Sequence, residues 1–123
     1  MKKKILIIDD AADLIELTKR LLTTRGYEVL TLNDGNLAIE TIQKESPDLV
    51  IIDMLMPGKD GTEICHEIKS NTSIKQMPVI ISTGQFIDEE MTRGQDGFKK
   101  ADDYLSKPFE LEELLGKIEN LVG

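Results

Sequence analysis

Four places in the sequence put chemically capable side chains directly after a short strand-like run: Asp9-Asp10 after Lys4–Ile8, Asp53 after Leu49–Ile52, Ser82-Thr83 after Pro78–Ile81, and Lys107 after Asp103–Ser106. Parallel strands joined by crossovers of one hand bring such ends to a single edge, and ligands sit beyond that edge where the strand order reverses. Three carboxylates gathered there repel one another, so at least one holds its proton more tightly unless a cation intervenes. Magnesium suits such a site, because it needs few protein carboxylates, keeps several waters and takes phosphate oxygens as further ligands. With charge balanced by that ion and by the Lys107 ammonium, one carboxylate can attack a phosphoryl group, and Thr83 can hydrogen-bond the transferred phosphate. The set points to phosphoryl transfer onto the protein itself. Taken singly, each residue has a plainer role: Asp9 or Asp10 could cap a helix, Asp53 could open a turn, Thr83 could close an ST-turn, and Lys107 could extend past apolar packing to solvent.

The elements that must position these groups alternate along the chain. Short runs at Lys4–Ile8, Tyr27–Leu32, Leu49–Ile52, Pro78–Ile81 and Asp103–Ser106 predict five strands, and the first is apolar enough to be covered on both faces. Between and after them, helical spacing links Leu14, Leu17, Thr18, Leu21 and Leu22; then Leu37, Ala38, Thr41 and Ile42; then Ile64, Cys65 and Ile68; and finally Leu111, Leu114, Leu115, Ile118, Leu121 and Val122. A further helix is expected within 85–99, weakened by Gly94 and Gly97. Arg25-Gly26 and Ser46-Pro47 read as helix stops and Asn33-Asp34-Gly35 as a turn. This order implies an α/β three-layer sandwich, a parallel sheet with helices on both faces.

At 123 residues the chain fits one domain, 1–123, able to bury a core without disulfides. A single cysteine, Cys65, excludes an internal disulfide and fits a reducing compartment, so the cytoplasm is the expected location. No apolar run is long enough to cross a bilayer, and the net charge of -8 argues against nucleic acid or anionic lipid as a partner, leaving other proteins. Lys2-Lys3-Lys4 reads as a solvated strand start. Neither a P-loop nor a G-x-G-x-x-G pattern is present. His66 lacks a second ligand at metal spacing, and Cys65 on an apolar stripe reads as a small hydrophobe. Met54 and Met56, following Asp53, are expected to shield the site.

The motifs "ILIIDD", "DLVIIDMLMPGKDG", "PVIISTG" and "ADDYLSKPF" together resemble the receiver domain of two-component response regulators, from Lys3 to about Val122. The resemblance is to a stand-alone, chemotaxis-regulator-like receiver. It implies a flavodoxin-like fold with five helices and strand order 2-1-3-4-5. It also implies Asp53 as phosphoacceptor, taking phosphate from a histidine kinase or histidine phosphotransfer protein. Asp9, Asp10, Asp53 and the Leu55 backbone carbonyl would hold Mg2+, with Mn2+ as a substitute. Lys107 would contact the phosphoryl oxygens, Lys107-Pro108 would be a cis peptide, and Thr83 and Tyr104 would form a switch pair that alters binding of a downstream protein target. Such a protein is not an enzyme toward other substrates; it assists its own phosphorylation and slow dephosphorylation.

The sequence departs from the family pattern between Thr83 and Tyr104, which is about two residues longer than usual and carries Gly84 where alanine is commoner and Lys100 where a small residue is commoner. A short or mobile helix is the expectation there. The chain ends one residue after the last apolar period, so no DNA-binding element is expected to follow, although "ADDYLSKPF" is also typical of receivers joined to one. The competing readings are a receiver fragment of a larger DNA-binding regulator, a pseudo-receiver scaffold, and an aspartyl-nucleophile phosphohydrolase. The last would want a general acid two residues after Asp53, where Leu55 stands. Asp102, Asp103 and Lys117 could pair across a weak homodimer or be solvated on a monomer.

Overall fold

A computed structural model describes residues 2–56, 59–84 and 100–122. Strands β1 (Lys4–Ile8), β2 (Glu28–Leu32), β3 (Leu49–Asp53), β4 (Val79–Thr83) and β5 (Asp103–Ser106) form one parallel sheet in the order β2-β1-β3-β4-β5. Helices α1 (Ala12–Thr24), α2 (Ala38–Glu45), α3 (Gly61–Ser70) and α4 (Leu111–Val122) provide the crossovers and outer layers, with a 3-10 turn at Gly35–Leu37 before α2. Four α-helices are therefore described where five were expected; the stretch 85–99 expected to hold the other lies outside the described residues. Among the described residues no helix is long and apolar enough to cross a membrane.

Side chains alternate across a strand, so continuous apolar runs must bury two faces. Leu6, Ile8, Val50, Ile52, Val79 and Ile81 face one way and pack with Ala38 and Ile42 of α2 and with Ile64, Cys65 and Ile68 of α3. Ile5, Ile7, Leu49, Ile51, Ile80 and Leu105 face the other way and pack with Leu22 of α1 and Leu114, Leu115 and Ile118 of α4. The sheet thus separates two apolar layers. Met54 and Met56 join the first layer, 7 % and 8 % exposed, so they anchor the chain beyond β3 in the core rather than shielding the site.

Several boundaries differ from the apolar pattern for local reasons. The Tyr27 N–H donates to the Leu22 carbonyl at 3.2 Å, finishing α1 through a turn in which Gly26 takes φ +94°, so β2 begins one residue later. Pro78 has no N–H for the ladder, but its carbonyl accepts from Val50 N at 3.1 Å; β4 begins at Val79 and runs on to Thr83. Leu37 belongs to the 3-10 turn and Leu17 lies outside the buried stripe of α1, leaving both exposed. Ser46, at φ 48°, closes α2 in the left-handed conformation. Lys2 and Lys3 are solvated, whereas the Lys4 ammonium donates to the Glu45 carbonyl at 3.0 Å.

The edge strand β5 is fixed by charge. Asp102 N–H donates to Val79 O, its Oδ2 accepts from Val79 N at 2.8 Å, and the same oxygen accepts from Lys69 Nζ at 2.7 Å. Lys117 Nζ lies 3.2 Å from Asp103 Oδ1. The charges that could have paired between molecules are paired within this one.

Candidate functional site

The register brings the sequence-predicted residues together at the carboxyl edge. Ile8 pairs with Ile52, so Asp9 and Asp53 follow on adjacent central strands; Asp53 pairs with Ser82, and Thr83 with Ser106, one residue before Lys107. By strand alternation Asp9, Asp53, Ser82 and Lys107 follow Ile7, Ile51, Ile80 and Leu105 on the side of α1 and α4. A slip of one residue in any strand would turn its contribution to the other face.

Asp9, Asp10 and Asp53 each offer a carboxylate oxygen, and these oxygens lie within 4.8 Å of one another. Asp9 is buried and Asp10 exposed, with Asp53 between them. Asp9 Oδ1 accepts from Ala11 N at 2.9 Å ahead of α1, while its Oδ2 accepts from Lys107 Nζ at 2.8 Å. Ala11 is the N-cap of α1 and no side chain caps the helix, so Asp9 braces the turn before it without capping it, and it is the deepest carboxylate of the cluster. The Lys107 ammonium lies 3.5 Å from Asp53 Oδ2, and the Leu55 N–H donates to Asp53 Oδ1 at 3.4 Å. Burial first, and then the Asp9 charge, raise the Asp53 acid above the usual carboxylate range, against the lowering effects of Lys107 and the Leu55 N–H. The lysine at the end of β5 has its nearest partner at the end of β1, three strands away across the sheet. The Lys107-Pro108 peptide is cis, as the resemblance implies, and the Lys107 N–H donates to Thr83 O at 2.7 Å.

Thr83 is 1 % exposed at the end of β4. Tyr104, opposite Ile81, is half-buried against the α2–α3 layer, and burial followed by Cys65 and the neighbouring aspartates raises its phenol. Thr83 shares the face of Ile81 by alternation, two residue pairs beyond Tyr104. His66 lies away from the carboxylates, with Nδ1 3.4 Å from Lys100 Nζ, and Cys65 is fully buried.

One participant was missed in the sequence. A Cβ at Gly61 would overlap the Asp53 carbonyl oxygen and stand 2.9 Å from Met54 Cα, so the first turn of α3 lies directly against the backbone that carries Asp53. The Gly61 N–H donates to Met54 O at 2.9 Å, and Asp60 caps α3 by accepting from Glu63 N at 2.9 Å. That the glycine is needed for space appears only in three dimensions.

The family model for the response regulator receiver domain matches residues 5–119. A response regulator from Chloroflexus aurantiacus J-10-fl is 34 % identical with a TM-score of 0.89, covering 99 % of this chain and 98 % of its own. The response regulator protein TrrA of Thermotoga maritima, solved in complex with Mg2+-BeF, is 34 % identical with a TM-score of 0.83, covering 97 % and 98 %. The chemotaxis protein CheY4 of Vibrio cholerae is 29 % identical with a TM-score of 0.87, covering 98 % and 99 %. With the 2-1-3-4-5 parallel sheet and the carboxylate cluster at its edge, these matches establish that the chain belongs to the response regulator receiver domain family.

Proposed function

We propose that Asp53 accepts a phosphoryl group from a histidine kinase or histidine phosphotransfer protein, in a reaction that needs Mg2+, and that the modified protein changes its affinity for a downstream protein. The observation that carries this reading is the Asp53 carboxylate itself, with Asp9 and Asp10 oxygens within 4.8 Å and the Lys107 ammonium 3.5 Å away. The donor set is three hard oxygens with no sulfur or nitrogen ligand, and burial, followed by the neighbouring Asp9 charge, raises the Asp53 acid. Both features fit magnesium, held by Asp9, Asp10, Asp53 and the Leu55 carbonyl. Bound Mg2+ would supply positive charge to the phosphoryl oxygens and relieve the repulsion among the carboxylates. The Mg2+-BeF complex of TrrA supports both roles, since fluoroberyllate is a tetrahedral stand-in for a phosphoryl group.

In the transfer, an Asp53 carboxylate oxygen attacks phosphorus, the phosphorus–nitrogen bond to the donor imidazole breaks, and the departing ring takes up a proton. An acyl phosphate remains. Lys107, steadied by Asp9, balances charge on the equatorial oxygens. Leu55 offers only an alkyl side chain two residues on, so no general acid stands there and hydrolysis is slow. The added charge and acceptor oxygens draw on the Thr83 hydroxyl and shift the packing of Tyr104 on the edge strand, biasing the partner surface between two arrangements.

Intact-mass spectrometry after incubation with Mg2+ and acetyl phosphate tests the reading, with Asp53→Asn beside it. One phosphoryl adduct that needs the metal and is lost in the variant supports it. A folded protein that takes no phosphoryl group from acetyl phosphate or phosphoramidate is instead a scaffold.

A further inference from the structure

We propose that Gly61 is a positioning residue for phosphoryl transfer at Asp53, a reading that rests on Asp53 being the phosphoacceptor. Only Gly26 among the described glycines has a φ in the left-handed region, so it is space, not backbone angle, that excludes a side chain at position 61. A Cβ there would overlap Asp53 O and stand 3.0 Å from the Asp53 carbonyl carbon and 2.9 Å from Met54 Cα. All three are backbone atoms of the residue that reacts and its neighbour, and none can turn aside as a side chain can.

The helix that supplies this contact is held from several directions. Asp60 caps it through Glu63 N, and Lys59 pairs with Glu67 at 2.7 Å. On the far side Gly35 meets the same loop: a Cβ at Gly35 would stand 2.5 Å from Lys59 O and 2.9 Å from Ile64 Cδ1. The first turn of α3 therefore cannot retreat without breaking these contacts, and a methyl group at 61 moves the Asp53 backbone instead. The Asp53 carboxylate and the Leu55 peptide move with it, against Asp9 and Lys107, which are fixed from β1 and β5. Displacement of a reacting group by on the order of 1 Å costs on the order of 100-fold in rate.

The test measures phosphorylation by acetyl phosphate, and its half-saturating Mg2+ concentration, in the wild type, Gly61→Ala and Leu22→Ala, under conditions where urea curves show all three folded. Leu22→Ala is a destabilising control in the opposite apolar layer. The expected result is a rate at least tenfold lower and a raised half-saturating Mg2+ in Gly61→Ala, with Leu22→Ala within twofold of wild type on both. Gly61→Ala within twofold of wild type, or Leu22→Ala falling as far, overturns the proposal. Should Gly61→Ala not fold, Asp60→Ala frees the first turn of α3 without adding atoms. It is expected to slow the reaction at least threefold, and Asp60→Ser, which restores a cap without charge, to recover it. No slowing, or slowing that serine does not recover, overturns the proposal. A wild type that takes no phosphoryl group removes the reading of Asp53 and this proposal with it, whereas a reactive wild type with unaffected variants removes this proposal alone.

Discussion

The Lys107 ammonium stands 2.8 Å from Asp9 Oδ2 and 3.5 Å from Asp53 Oδ2, so its nearer partner is the buried carboxylate rather than the one at the reacting position. Asp53 is left with less compensation than its neighbour, and burial and the Asp9 charge raise its acid accordingly. Its negative charge opposes folding when no divalent cation is bound. Asp53→Asn is therefore expected to raise the urea midpoint in chelator. Added Mg2+ is expected to stabilise the wild type by about 2.7 kcal/mol at a hundredfold excess over its dissociation constant, and the variant by much less. A lower midpoint for Asp53→Asn in chelator would contradict this electrostatic account.

Cys65 gives a prediction at alkaline pH. Burial pushes its thiol from 9.0 up to about 11. The folded thiol keeps its proton at pH values where the unfolded one has lost it, so the native state binds more protons between those limits. The resulting stabilisation is present in full below about pH 9 and is lost as pH rises toward 11, a change on the order of 2–3 kcal/mol. Urea unfolding of the wild type and Cys65→Ala at pH 8 and pH 10.5 isolates the thiol, since other groups titrate in both proteins. The two should differ by less at the higher pH, and a constant difference would show that the thiol is not held protonated by the core.

At the start of β5, Asp102 Oδ2 serves both Val79 N and Lys69 Nζ. Removing that acceptor leaves a backbone donor and a mostly buried ammonium without it, and such losses cost about 1–3 kcal/mol. Asp102→Ala is expected to destabilise by roughly 2 kcal/mol and to speed amide exchange at Val79 selectively. Uniform loss of protection across the sheet would show instead that the contact is only one increment of global stability.

The central parts of this fold were legible because buried parallel strands write their state directly as unbroken apolar, largely β-branched runs, and β1 matches the sequence pattern residue for residue; the short edge strand β5 also matches, although its Asp-Tyr-Leu-Ser is no such run. The strand-end site was equally legible, because a parallel sheet leaves little choice about which edge Asp9, Asp53, Thr83 and Lys107 share. What escaped the sequence depends on contacts between distant segments. Met54 and Met56 resemble loop residues until the packing of α2 and α3 gives them a core to enter. Leu17 and Leu37 fit helical spacing, yet one sits off the buried stripe and the other in a tighter turn. The role of Asp102 needs Lys69 and Val79 beside it, and that of Gly61 needs the Asp53 carbonyl.

The chain changes sides at Asp53. Lys107 pairs with this residue from the layer of α1 and α4, while Met54 and Met56 just beyond it are rooted in the layer of α2 and α3. The carboxylate thus stands at the seam between two otherwise separate cores. Under the proposed phosphorylation of Asp53, the added charge would arrive at the junction of the two layers.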